Sequence, residues 1–347
     1  MKFEKTHLFN LDHIYSVNTM HTGSGDAVLF ASEAHDACKM LPLPGCDMNA
    51  IQTVWDGPGG VMSMVPLEDR PGEFLAISKF FSLYNWEEAE VIWAWPGDDG
   101  KYRTKTLMNI PYIHRFDVIK TPKGLYFIGC NLSDKKTSKD DWSVPGHIFV
   151  GEVDLENREV TGLRTLMDGL YKNHGYCRDT ENGVVRSLIG CHNGIFAVTA
   201  PGMGHDDWHI RRIADMHVSD MAMVDIDGDG VKELAAIEEF HGCYYRIYKP
   251  TEYGGWVQVF EHPEVTEFYH VAWGGTLCGV PAFIGGCRRG KQQLFAITCK
   301  DGEFVIDLID EGVGPSNACV YHGKDGDLVL AADREAAEAA VYKVLAD

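Results

Sequence analysis

The sequence predicts an all-β fold, a seven-bladed β-propeller that forms a single domain over residues 1–347. Seven related segments follow one another, and their starts lie 43 to 60 residues apart, near the roughly 40 to 50 residues of a four-stranded blade. Each segment reads as a short strand, a Gly/Asp turn, an apolar strand, a polar loop and another apolar strand. Blades of this kind pack on their neighbours and need no disulfide or metal to protect their edges.

The seven segments use nearly the whole chain. They begin near Tyr15, Gly60, His114, His174, His217, Tyr269 and Ser316. Between them the pattern predicts a fourth strand, as in GKYRTKTLMNI (100–110) and GWVQVFEHP (255–263), where polar and apolar residues alternate.

Two stretches leave alternatives open. DREAAEAAVYKV (333–344) aligns with EEFHGCYYRIYK (238–249), which favours a loop and a third strand, although a short helical turn over 335–340 is the alternative. For the whole chain, the runner-up is a pair of β domains divided near residue 160, with EVDLENREVTG as the linker. The even repeat favours the propeller.

Charge and composition exclude several functions. The net charge is −20, with 51 acidic against 31 basic residues, so the protein's field repels nucleic acid and anionic membranes. No apolar stretch reaches the length of a membrane span, and the N-terminus lacks a signal-peptide core, so we expect a cytoplasmic protein. The ten cysteines show no CxxC pair and several lie in apolar runs, which predicts buried free thiols.

The repeat also predicts where polar side chains converge. In a propeller, each first strand starts and each second strand ends at the same face. The strand-start positions are Tyr15, His114, Arg115, His174, His217, Tyr269, His270 and Asn317. The positions after a second strand are His35, Asn131, His192, Asn193, Glu239, His241, Arg288 and Arg334. Seven of the 15 histidines fall in these two sets, which predicts a histidine-rich mouth suited to proton transfer or metal binding.

Each of these side chains also has a plainer interpretation. A single histidine is commonly a polar group satisfied by a neighbouring loop, so the functional interpretation depends on the enrichment at one face. Arg115, Arg288 and Arg334 suit an anionic or polar ligand, and the alternative is ion pairs with the many carboxylates.

A loop of alternating aspartates lies between a first and a second strand. DIDGDGVKE places carboxylates at Asp225, Asp227, Asp229 and Glu233, with glycines for the tight turn, an arrangement typical of Ca²⁺ or Mg²⁺ loops. The repeat puts this loop at the face away from the histidines, so we expect a structural role for the metal.

The stretch VDIDGDGVKELAAI (224–237) resembles the FG-GAP or VCBS-type repeat of β-propellers. Together with HRFDV (114–118) and EEFHGCYYRIYK (238–249), it is similar to the propeller domain of aldos-2-ulose dehydratase, also called 1,5-anhydro-D-fructose dehydratase. The likeness covers much of residues 110–250. It implies a lyase that removes water from a small keto sugar.

Such an elimination needs a base, a group that stabilises the enolate, and an acid for the leaving hydroxyl. The resemblance implies His114 as the base beside Arg115, with His241 as acid or metal ligand. The remaining candidates for catalysis are His174 and Tyr269. Candidate ligands of a Zn, Mn or Mg ion that polarises the carbonyl are Glu239, His217 and His270. Candidate substrate-binding residues are His35, His192, Tyr244, Trp273, Arg288, Asn317 and Arg334.

Two classes of function stay open at this stage. The first is a carbon–oxygen lyase acting on a small carbohydrate, with a polysaccharide lyase as a related option. The second is a non-catalytic propeller that binds carbohydrate or protein, since the fold hosts both. The insertion NLSDKKTSKDDWSVPG (131–146) is predicted to overhang the mouth as a lid or as a contact in a homo-oligomer.

Overall fold

Seven four-stranded sheets make up the described part of the fold. Six of them consist of strands that follow one another in the chain, and the seventh joins the first strand to the last three. The computed structural model describes residues 1–81 and 86–345. Residues 82–85, in the predicted loop of the second repeat, and 346–347, at the end of the predicted domain, lie outside the described residues. The prediction of a seven-bladed β-propeller is confirmed.

The seven sheets are divided between two compact units, each described here by itself. Met1–Gly59 and Met221–Asp347 form a four-blade unit, and Gly60–Asp220 forms a three-blade unit. Neither boundary lies near residue 160. That the whole chain is one domain stays a prediction.

In the four-blade unit, the strand bounds follow the predicted repeat. Blade one is β2 (Ile14–Thr22), β3 (Gly25–Ser32), β4 (Cys38–Pro42) and β5 (Gln52–Trp55), with a 3₁₀ turn at Met48–Ala50. Blade five is β18 (Asp220–Val224), β19 (Glu233–Glu238), β20 (Tyr244–Pro250) and β21 (Trp256–Glu261). Blade six is β22 (Tyr269–Leu277), β23 (Val280–Cys287), β24 (Leu294–Lys300) and β25 (Glu303–Asp310). Blade seven is β26 (Asn317–Gly323), β27 (Gly326–Asp333), β28 (Glu338–Leu345) and β1 (Lys2–Asn10).

The three-blade unit has the same plan. Blade two is β6 (Met64–Pro66), β7 (Phe74–Ser78), β8 (Glu90–Pro96) and β9 (Tyr102–Asn109). Blade three is β10 (Ile113–Thr121), β11 (Gly124–Asn131), β12 (Gly146–Asp154) and β13 (Glu159–Leu170). Blade four is β14 (Gly175–Glu181), β15 (Val184–Cys191), β16 (Gly194–Thr199) and β17 (His209–Ala214). Every first strand therefore begins within four residues of its predicted start.

The last blade contains a strand that the sequence analysis did not predict. β1 pairs antiparallel with β28, so the first residues of the chain complete the sheet built from the last ones. The stretch 333–344 forms a turn and β28, as favoured, and the alternative helical turn does not form.

The inner strands of blade six are apolar on both faces because blade five covers one face and blade seven covers the other. In β23, Phe283 packs in the cluster shared by blades five and six, whereas Ala282 and Ile284 pack in the cluster shared by blades six and seven. Successive strand residues point to opposite faces, so this alternation is expected. Gly285 is required here because a Cβ would lie 2.4 Å from the Phe295 ring. Each such fully buried phenylalanine contributes about 2 to 3 kcal/mol.

All ten cysteines lie in the described residues and are free thiols. Five of them are buried, and burial raises the pKa of the Cys130 thiol to about 12 and that of Cys191 to about 11. These thiols therefore act as small apolar core groups. Among the described residues, the one helical element is the turn at Met48–Ala50, and no helix has the length and apolarity needed to cross a membrane.

Candidate functional site

Two buried histidines near strand starts share one type of hydrogen bond. Nδ1 of His174 lies 2.9 Å from the carbonyl oxygen of Ser219, and Nδ1 of His270 lies 2.5 Å from that of Ser316. Because a carbonyl oxygen only accepts, each Nδ1 carries the proton. In the neutral ring the lone pair is therefore on Nε2, where it can take up a proton or bind a metal. The sequence placed both histidines at strand starts but could not assign their tautomers.

In the four-blade unit, a tyrosine hydroxyl forms a hydrogen bond with Nε2 of His270. The hydroxyl of Tyr15, at the start of blade one, lies 3.1 Å from Nε2 of His270 and donates to the neutral ring. Both side chains are buried. The ring of His241 lies with its centroid 5.3 Å from that of His270 and stacks on Phe268 at 4.2 Å. The structure thus brings together Tyr15, His241 and His270.

The position of His241 is fixed by the turn between β19 and β20. His241 adopts a left-handed backbone conformation with φ of 49°, and its carbonyl accepts a hydrogen bond from the amide of Phe268. Gly242 allows the turn to close, because a Cβ there would lie 2.0 Å from the Glu238 carbonyl oxygen. Glu239 in the same turn is exposed.

In the three-blade unit, His114 and Arg115 lie on β10 and both are buried. The His114 ring is 4.1 Å from the His174 ring, centroid to centroid, with an angle of 34° between the planes. Arg115 donates to the Met62 carbonyl at 2.9 Å and lies 3.7 Å from the Asp220 carboxylate. The guanidinium therefore has partners within the protein, while His114 presents its ring to a second imidazole.

A second pair of imidazoles lies in the same unit. The rings of His192 and His217 are 3.8 Å apart; His192 is half-buried and His217 is exposed. Two neutral imidazoles this close can offer ring nitrogens to one bound group. The side-chain oxygen of Asn193 accepts the Tyr171 amide at 2.8 Å, which holds the neighbouring turn.

The two predicted arginines of the four-blade unit form ion pairs with carboxylates. Arg288 is buried and bonds Glu335 through two nitrogens at 3.0 and 2.9 Å. Arg334 bonds Glu33 and also lies 3.1 Å from Glu335. Burial lowers the pKa of Arg288. Burial alone would raise the pKa of Glu335, but Arg288 and Arg334 lower it below its usual value. The charges of the two arginines and two glutamates cancel, as in the ion-pair alternative.

Tyr269 lies in the blade interior. Its side chain is fully buried, and its hydroxyl donates to the Glu264 carbonyl at 2.5 Å and lies 2.9 Å from Nδ1 of His262. Burial raises the pKa of Tyr269 and lowers that of His262. His262 was not predicted, because no repeat position distinguishes it. Adjacent strand residues point to opposite faces, so Tyr269 packs in the core while His270 next to it bonds Tyr15.

The other predicted binding residues have the following surroundings. Trp273 packs against the core cluster of blades six and seven, and the guanidinium of Arg246 covers the Tyr244 ring at 4.0 Å. Asn317 donates to the Tyr15 carbonyl at 2.7 Å, and His35 is exposed in the loop after β3.

The aspartate loop joins β18 to β19, as predicted, at the strand ends opposite the turn that carries His241. The ligand atoms of Asp225, Asp227 and Asp229 lie within 4.8 Å of one another, which fits a hard cation. Among the described residues, Oδ1 of Asp225 is buried and has no hydrogen-bond partner. However, the ammonium of Lys249 enters the loop and contacts its other carboxylates.

The insertion 131–146 is held by its own polar groups. Asn131 donates to the carbonyls of Pro111 and Ser133 and accepts the amide of His147. Within it, Lys136 lies 3.0 Å from the centroid of the Trp142 ring, and burial lowers the pKa of Lys136 to about 8. Its role as a lid or oligomer contact stays a prediction.

No protein-family model and no curated protein matches the chain. Among solved structures, the chain is similar to the Dos1 propeller, with a TM-score of 0.58 and 6% identity over 95% of this chain and 77% of that one. It is also similar to a putative 6-phosphogluconolactonase from Bacteroides uniformis ATCC 8492, with a TM-score of 0.54 and 12% identity over 96% and 93% of the two chains. Likeness at these identities shows the fold alone, and it supports a β-propeller.

Proposed function

We propose that the protein is a carbon–oxygen lyase that removes water from a small keto sugar or sugar derivative, such as 1,5-anhydro-D-fructose. The observation that carries the proposal is the pair formed by Tyr15 and His270. A buried imidazole with its lone pair fixed on Nε2 is suited to take a proton, and the phenol bonded to that atom is suited to give one.

Each of these groups has one step in the proposed elimination. His270 Nε2 accepts the proton from the carbon next to the carbonyl, so that the C–H bond breaks and an enolate forms. The electrons then form the C=C bond as the C–O bond breaks, and Tyr15 or His241 protonates the leaving hydroxyl, which departs as water. His114, the base implied by the sequence resemblance, is the competing assignment. Participation of a divalent metal stays a prediction; when bound, it would polarise the carbonyl.

A second candidate function is carbohydrate or protein binding without catalysis. The observation that favours it is the burial of His174 and His270, which are 1% and 2% exposed, and their bonds to serine carbonyls. Such bonds also fix strand starts in a purely structural way.

The first test is ultraviolet absorbance after mixing the protein with a panel of keto sugars that includes 1,5-anhydro-D-fructose, with and without a chelator. If the protein removes water from one of these sugars, we expect a new enone band. Its loss in His114→Ala with retention in His270→Asn would assign the base to His114, and the reverse would assign it to His270. A sugar lactone, followed by acid release, serves as a comparison because one structural neighbour is a putative lactonase.

Absence of a band with every ketone, from folded and metal-supplemented protein, would contradict the lyase proposal. Calorimetric titration with the same sugars then tests the binding function.

A further inference from the structure

The aspartate loop contains a cation supplied by the chain itself. Nζ of Lys249, from β20, lies 2.5 Å from Asp227, 2.7 Å from Asp229 and 3.0 Å from Glu233. Three carboxylates therefore lie within ion-pair distance of one ammonium, which has three N–H donors. These contacts raise the pKa of Lys249, with the hydrogen bonds to Asp227 and Asp229 as the main causes.

Apart from Oδ1 of Asp225, the remaining carboxylate oxygens of the loop accept hydrogen bonds from its own backbone amides. Asp225 accepts the amide of Gly230 at 3.0 Å, Asp229 accepts that of Val231 at 2.9 Å, and Glu233 accepts that of Ile226 at 3.0 Å. The turn therefore closes through hydrogen bonds that need no ion.

Glu233 is the member of the loop that most needs a counter-charge. Its side chain is 1% exposed, and a buried carboxylate is costly unless a cation pairs with it. The pairing of Leu234 with Tyr248 in the antiparallel β19–β20 register puts Lys249 at the position opposite Glu233. Cross-strand neighbours of opposite charge attract each other, so the strand register places the Lys249 ammonium beside the Glu233 carboxylate.

We infer that Lys249 is the resident cation of the Asp225–Glu233 loop, and that Ca²⁺ or Mg²⁺ binds there only by displacing it. Calcium lies about 2.3 to 2.6 Å from its oxygen ligands. An ammonium at 2.5 to 3.0 Å from three of the same carboxylates takes that space, so the two occupants exclude each other. The inference is independent of the proposed lyase activity.

The test combines metal analysis with thermal unfolding of the full chain. Wild-type protein is expected to carry well under one equivalent of Ca or Mg, and neither EDTA nor millimolar CaCl₂ is expected to shift its Tm by more than about 1 °C. Lys249→Met is expected to lower the Tm by about 3 to 5 °C, because it leaves a buried carboxylate unpaired. CaCl₂ is expected to recover part of that loss, because the vacated position fits a hard cation.

Lys120→Met is the matched control, since Lys120 is exposed and bonds one carboxylate, Asp69, at 2.6 Å. It is expected to change the Tm little and to show no calcium response. One tightly held Ca or Mg per wild-type chain, with a fall in Tm of several degrees on chelation, would overturn the inference. This readout does not require the Lys249 variant to fold. A Lys249→Met protein as stable as the wild type would also overturn it.

Discussion

Asp117 in the three-blade unit and Asp333 in the four-blade unit are buried carboxylates that accept a tyrosine hydroxyl in the same way. The hydroxyl of Tyr176 lies 2.7 Å from Asp117, and that of Tyr342 lies 2.7 Å from Asp333. Their other neighbours differ. Arg178 donates to Asp117 through two nitrogens at 2.8 and 2.7 Å, so that carboxylate is paired with a fixed positive charge.

Around Asp333 the neighbour is a second acid. The Tyr342 hydroxyl also lies 2.9 Å from Asp310, but it has one proton and can donate to one carboxylate at a time. Lys5 lies 2.8 Å from Asp310 and favours its charged form. The pKa of Asp333 is raised to about 7, and burial is the main cause; Glu338 and Asp310 also raise it, whereas Tyr342 and Lys5 lower it. Asp117 is therefore paired with an arginine, whereas Asp333 is buried beside a second acid and has a raised pKa.

The buried histidines differ between the units in a parallel way. His270 and His174 share the Nδ1 bond to a serine carbonyl, but His270 adjoins the Tyr15 hydroxyl and His174 adjoins the His114 ring. A hydroxyl proton is therefore available beside His270, whereas a second imidazole ring lies beside His174. This difference makes the pair of Tyr15 and His270 the stronger candidate for acid–base chemistry.

The largest expected effect separates the two histidines. His270→Asn removes the proposed base but leaves a short amide that can donate to the Ser316 carbonyl, so we expect a loss of about 100- to 10,000-fold in kcat with little change in Tm. His174→Asn is the matched control, with an expected loss below about 10-fold. The measurement is the rate of enone formation. The opposite ranking would move the acid–base chemistry to the three-blade unit.

The next effect concerns stability. Asp117→Asn leaves the Arg178 guanidinium facing an amide, so we expect the free energy of unfolding to fall by about 2 to 4 kcal/mol in urea titrations at pH 7. Asp99→Asn, which alters an exposed pair with Arg103, is the control and is expected to cause no measurable change. Equal stability of the Asp117 variant and the wild type would show that its ion pair does not contribute.

The third effect is a pH dependence with a definite sign. The pKa of Asp333 is about 7 in the folded protein and near 4 in the unfolded chain, so the folded state binds the proton more tightly. Its contribution is complete below pH 4 and is lost as the pH rises to about 7, by at most about 4 kcal/mol. Asp333→Asn cannot ionise. We therefore expect the stability of the variant, relative to wild type, to rise between pH 4 and pH 7.

Urea titrations of both proteins across this range measure that difference. If the stability of the variant relative to wild type does not change with pH, the pKa of Asp333 is not raised in the folded protein.

Much of the fold could be predicted because the blade repeat is local. Strands such as β23, apolar on both faces, mark each blade, and their spacing alone gave starts close to those observed. β1 was missed because most of its residues are exposed and its partner, β28, lies at the other end of the chain. Local pattern carries no signal for such a pairing.

The candidate site was less predictable, because a repeat assigns positions but not side-chain directions or partners. It put Tyr269 and His270 in one set, although alternation along the strand sends them to different faces. It also could not show that Arg288 and Arg334 meet Glu335 and Glu33, since Arg288 and Glu33 follow strands that are distant in sequence from the turn that carries Arg334 and Glu335. Only three-dimensional neighbours determine whether a charged side chain is available to a ligand.

The pairing of β1 with β28 has a consequence for how the chain folds. Lys5 and Glu338 are 333 residues apart, and closing so long a loop costs about 5 kcal/mol of chain entropy. This pairing is therefore expected late, after the local hairpins. Until then, β28 has an open edge, at which residues 2–10 of a second copy can form the same backbone hydrogen bonds. Refolding at high concentration thus favours dimers that have exchanged their first strands.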